Sequence, residues 1–195
     1  CRTALSNLIG CELAILQLQL AKWRRNELSG TEIKPQRLVQ WIKILGEILA
    51  LHPDYSMFAS LQQLGSKRPI HPDSEDVLKG NAENSYCRSF IAEFYPALYV
   101  PEAEFYCRWL QQKLQNEDHA PAVKEKFQAA TAQIREHFYA TPLEKFAPNP
   151  QCWRPEQRSV IFQKILPDIQ KLTSEQYKKF VLLSPRILFF QKDFS

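Results

Sequence analysis

Residues 4–28 read ALSNLIGCELAILQLQLAKWRRNEL, and residues 35–51 read PQRLVQWIKILGEILAL. These two stretches decide the fold class. In the first, Leu5, Ile9, Leu13, Leu16, Leu20 and Trp23 recur at steps of three and four, which places them on one face of a helix. Leu8, Cys11, Ile15 and Leu18 form a second stripe, and a helix apolar on two faces belongs at the centre of its domain. Ser29-Gly30 is expected to end it, because glycine tolerates the left-handed conformation of a helix C-terminus. In the second stretch, Leu38, Trp41, Ile42, Leu45, Ile48 and Leu49 make one clean stripe, with Lys43 and Glu47 opposite. Pro35 suits the helix start, where its missing N–H is not needed. The short connection between the two predicts an antiparallel helix pair.

The same spacing continues along the chain. A short helix is expected over residues 55–64, capped by Asp54, and another begins after Asp73 and ends at Gly80. Tyr86, Phe90, Phe94 and Leu98 follow a step of four, with Pro96 kinking or ending that helix. Pro101 restarts a helix with Glu102 and Glu104 in its first turn, where the helix dipole favours acids. Phe105, Trp109 and Leu114 are its inward residues. Residues 121–139 carry the stripe Val123, Phe127, Ala130, Ile134 and Phe138. Residues 141–155 hold four prolines and are expected to be irregular, a possible subdomain boundary. Pro155 restarts a helix that Pro167 kinks or interrupts. Thr173 to Gln176 fits a capping box, Ser184-Pro185 is a stop, and residues 187–190 fit a helical turn or a short strand. No alternating strand pattern and no solenoid period is present. The expected architecture is a single all-α domain over residues 1–195, an irregular multi-helix bundle of about seven or eight helices.

Composition narrows the function classes. The chain has 195 residues, 45% hydrophobic and 24% charged, the balance of a soluble globular domain. Its net charge of +4 is too small to mark a nucleic-acid protein by itself. Five cysteines, Cys1, Cys11, Cys87, Cys107 and Cys152, are widely spaced without a C-x-x-C, so no zinc or redox motif is indicated. Free thiols point to a reducing compartment, the cytoplasm, and no signal peptide is seen. The alternative is a lipoprotein whose first residue, Cys1, carries the lipid. The apolar run of residues 8–21 is interrupted by Glu12, Gln17 and Gln19 and reads as too short and too polar for a transmembrane segment.

Motifs for chemistry are sparse. None of His52, His71, His119 and His137 lies four residues from another, so no helical metal pair exists and no metal is expected. Five dispersed glycines supply no phosphate loop, and no cofactor is expected. Two constellations remain. Glu93 and Glu102, with Arg88 and Tyr95 and the nearby Tyr99 and Tyr106, have the residue types of a polar cleft. Paired acids beside aromatics are what glycan hydrolysis uses, one acid protonating while the other attacks or activates water. Arg24, Arg25, Lys34 and Arg37 form a basic patch if the first two helices pair, a surface for phosphate or nucleic acid. Trp153, beside Cys152 and Arg154, is either a binding anchor or a pin for the proline-rich crossing. The leading expectation is a non-catalytic helical interaction or accessory domain with a protein partner, either on its own or as part of a larger polypeptide. A hydrolase using the Glu/Tyr/Arg cleft and a phosphate-binding basic patch are the alternatives.

Overall fold

The structure, a computed structural model, describes residues 2–69, 71–120 and 124–183. Among these residues it is all-α, with no strand: seven α-helices joined by short 3-10 turns and one wide π turn. The helices are α1 (Arg2–Arg24), α2 (Gln36–Leu49), α3 (Met57–Gly65), α4 (Ser74–Glu83), α5 (Val100–Gln115), α6 (Lys124–Ala140) and α7 (Pro155–Leu183).

The central helix is α2 rather than α1. It packs on α1, α5, α7 and the π turn, and Trp41 and Leu49 are fully buried along it. Gly46 permits one of these contacts: a Cβ there would stand 2.6 Å from the Cβ of Tyr95. By contrast, α1 keeps one face outside. Leu5, Leu16, Leu20 and Trp23 are buried as their spacing requires, but Leu13 and Leu18 are exposed and so is Cys11. Glu12 and Gln19 are buried instead. Near the start of α2, Arg37 meets Glu12, while Leu5 shares a cluster with Leu45 and Leu49 near its end. By length and composition α1 is long and apolar enough to cross a membrane, as the core helix of a globular protein can also be. In this fold it packs on α2 and α7.

Asn26, not Gly30, ends α1. Its φ is 58°, and the Glu27 and Asn26 amides bond back to the Lys22 and Trp23 carbonyls. That pairing closes the orphan carbonyls of a helix end. Gly30 opens a 3-10 turn capped by Ser29 and Glu32. Similarly, Ser56 rather than Asp54 caps α3, its hydroxyl accepting from the Ala59 amide. Helix α4 continues past Gly80 to Glu83, and Asp73 makes no side-chain cap bond to it.

The expected helix through Tyr86, Phe90, Phe94 and Leu98 is absent. Residues 88–90 form a 3-10 turn, and the side chain of Tyr86 is exposed. Phe94 and Leu98 are buried with Phe138 and Leu143 in a cluster beneath α6. The wide turn Tyr95–Tyr99 then runs directly into α5. Pro101 has no N–H and its ring crowds the carbonyl four residues back, which favours widening the turn before it. The crossing contains 3-10 turns at Leu143–Lys145 and Pro150–Trp153. Helix α7 passes through Pro167 without a break. The capping box expected at Thr173 is absent, since its hydroxyl donates to the Ile169 carbonyl inside the helix. Val123, the Ser184-Pro185 stop and residues 187–190 lie outside the described residues.

Candidate functional site

The most site-like feature is a groove between α1 and α5 with α2 as its floor. Ile9, Leu13 and Leu16 come from α1, and Leu38, Ile42 and Leu45 from α2. The opposite wall is Tyr95, Tyr99, Glu102 and Tyr106. Their spacing of four, three and four puts them on one side of the π turn and α5. Beyond Gln17 α1 packs directly on α5, Leu20 and Trp23 sharing a cluster with Leu110 and Leu114. Its volume is about 550 Å³, within the size range of ligand sites. From Ser6 to Gln17 it follows α1 for about 16 Å, three helical turns.

The tyrosine wall is held from behind. Tyr95 donates its hydroxyl to the Ser89 carbonyl at 3.0 Å and packs edge-on to Tyr99. Burial, with the Tyr99 hydroxyl adding to it, pushes the Tyr95 phenol up to about 12. Arg88 Nε donates to the Tyr99 hydroxyl at 3.0 Å. Burial raises the Glu102 carboxyl above its ordinary value and Glu83 adds to the shift, while Arg135 and Arg88 oppose it.

Of the four residues expected to form a catalytic cleft, Tyr95 and Glu102 line the groove and Arg88 braces it through Tyr99. Glu93 does not join them. It is 0% exposed and closes the start of α3. Its Oε1 accepts from Ser56 Oγ at 2.6 Å and from the Phe58 amide at 3.1 Å, and its Oε2 accepts from the Met57 amide at 3.1 Å. A carboxylate held by three donors at a helix N-terminus is a cap.

The basic patch is dispersed. Arg37 is 5% exposed and lies between Glu12 and Glu175. Arg25 pairs with Glu27 at 2.8 Å, and Arg24 is exposed at the end of α1. Lys34 lines a different hollow, between α2 and α7, with Lys43, Glu47, Asp168 and Lys171. In that hollow, burial and then the Asp168 charge raise the Glu47 carboxyl. Trp153 acts as a pin: its indole N–H donates to the Ala50 carbonyl at 3.2 Å, and its own carbonyl accepts from Arg158.

Two buried polar assemblies escaped the sequence reading. In one, Arg37 bonds Glu12, Glu175 and the Leu172 carbonyl, while Gln176 bonds Glu12 and the Leu8 carbonyl. Glu12 inside an apolar run was its one visible signal. In the other, the Lys79 ammonium, 1% exposed, meets Glu75 at 2.8 Å and the Tyr139 and Thr141 carbonyls at the end of α6. Glu75 in turn accepts from the Leu143 amide. Both assemblies join helices distant in sequence and neither opens onto the groove.

Among the described residues no group of three or more His, Cys, Asp or Glu side chains is placed to hold a metal. Cys11 and Cys87 are exposed thiols, and Cys107 is buried, its thiol pushed up to about 11 by burial and then by the Glu104 charge. No protein-family model matches the chain, and searches of curated proteins and of solved structures return no match.

Proposed function

We propose that this chain is a non-catalytic helical binding module whose working surface is the groove between α1 and α5. One observation carries the reading: three helices leave an apolar hollow with the exposed Leu13 and the half-buried Ile9 and Ile42 at its surface, the buried Leu16, Leu38 and Leu45 as its floor, and tyrosines on a braced turn as its wall. A trough about three turns long between helices matches the way an amphipathic segment is received by a helical protein. The carboxylate pair that hydrolysis needs is not supported, because Glu93 is spent on the α3 cap and Glu102 is the single acid lining the groove among the described residues. The phosphate-binding reading loses Arg37 to its two glutamates.

The test is a display selection of random helical peptides on the intact chain, with the Leu13→Asp variant as counter-target. Leu13 is exposed, so the variant alters the groove wall with little effect on the core. The expected result is a set of binders that compete with one another and are lost on Leu13→Asp. Binders indifferent to that variant, or no enrichment at all, overturn the reading.

A further inference from the structure

The groove has one feature that an apolar occupant alone leaves unanswered. Glu102 is the only acidic or basic side chain lining it among the described residues. Among the described residues it makes no ion pair and no side-chain hydrogen bond, and the charges of Arg135 and Arg88 offset only part of the desolvation cost of its carboxyl. The two arginines whose charges act on it make their direct bonds to other groups. Arg135 Nε pairs with Glu83 at 2.8 Å, and Arg88 Nε is bound to the Tyr99 hydroxyl. Along the same wall Tyr99 precedes Glu102 by three residues and Tyr106 follows it by four. The Arg88 guanidinium already lies over the Tyr99 ring, 5.6 Å from its centre, so an incoming cation would meet the Glu102 carboxylate chiefly on the Tyr106 side, where a half-buried acid near an aromatic side chain favours an ammonium or guanidinium group.

We propose that the occupant of the groove is an amphipathic helix of a partner protein whose apolar stripe is flanked by a basic side chain that meets Glu102 on the Tyr106 side. This rests on the groove being the working surface and adds the chemistry of its partner. The apolar residues of the guest, at i, i+3, i+4 and i+7, fill the trough over Leu38, Ile42 and Leu45. The basic residue sits at the edge of that stripe, where its stem stays on apolar surface and its head reaches the carboxylate. The pair fixes the direction and register of the guest, the part of recognition that charge supplies best.

The experiment uses two fluorescein-labelled peptides of about sixteen residues, long enough for four helical turns. Both carry leucine at the stripe positions. One has a lysine beside the stripe and the other a glutamine in its place. Anisotropy titrations are run on the intact chain, on Glu102→Gln and on Leu13→Asp, with circular dichroism confirming that each variant is folded. The lysine peptide is expected to bind about tenfold more tightly than the glutamine peptide, roughly the worth of one desolvated charge pair. Glu102→Gln erases that difference, and Leu13→Asp weakens both peptides. Equal binding of the two peptides, with both still sensitive to Leu13→Asp, overturns the basic partner and leaves the groove reading standing. Binding that ignores Leu13→Asp overturns both. Failure of both peptides to bind, or a concentration-dependent dimer of the chain abolished by Leu13→Asp, overturns the helical partner, the latter giving the groove to a second copy.

Discussion

Arg37 Nε lies 3.2 Å from Glu12 Oε1 where α1, α2 and α7 meet, with both side chains almost wholly buried. Glu175 and Gln176 of α7 complete the assembly. A buried pair of this kind does not add much over a hydrophobic filling of equal volume, but breaking it strands a charge. Glu12→Ala is therefore expected to destabilise the chain by about 3–5 kcal/mol, read as a fall in the urea midpoint. The double variant Glu12→Leu, Arg37→Met removes both charges and is expected to recover most of that loss. A double variant no more stable than the single one contradicts this account.

The Glu93 cap makes a second prediction, in which a residue suited to catalysis proves structural. Glu93→Ala leaves the Ser56 hydroxyl and the Met57 and Phe58 amides without their acceptor. Each stranded donor costs about 1–3 kcal/mol. Glu93→Gln also loses stability, because its amide group presents a donor to a donor. Hydrogen exchange at the Met57 and Phe58 amides is expected to quicken in both variants, and protection unchanged from the parent chain would refute the cap.

Tyr95 gives the alkaline side of the stability curve a slope. Its folded phenol titrates at about 12, against about 10 in an unfolded chain. The folded state holds the proton more tightly, so its contribution is complete below about 10 and is lost as pH rises through about 12. Tyr95→Phe is expected to flatten the decline of melting temperature over that window. At neutral pH it costs about 1 kcal/mol for the bond to the Ser89 carbonyl. A decline equally steep in parent and variant assigns the slope to other groups.

Sequence and structure agree where a helix has one apolar face. The stripe of α2 contains Leu38, Trp41, Leu45 and Leu49, all buried, and α6 directs Phe138 inward as its spacing requires. In α1, apolar residues surround the axis, so spacing alone could not tell that Leu13 and Leu18 face outward while Glu12 turns in. The step of four from Tyr86 to Leu98 imitated a helix because 3-10 and π turns place residues at similar intervals over so short a run. The candidate site was legible in part. Tyr95, Tyr99, Glu102 and Tyr106 share a wall as their spacing allows. The roles of Glu93 and Arg37 depended on partners 37 and 138 residues away, which no local pattern encodes.

The wide turn at Tyr95–Tyr99 has a consequence for how this molecule could vary. On its upstream side lie the Glu93 cap and the fully buried Phe94, and on its downstream side lie Glu102 and Tyr106. An extra residue in a helical turn rotates everything beyond it by about 100°. The turn therefore works as a phase adjuster, letting one unbroken run of chain serve two surfaces whose angular settings would otherwise conflict. Loss or gain of a single residue there would re-aim the wall of the groove while leaving the cap on α3 untouched, so the two surfaces could drift independently over evolutionary time.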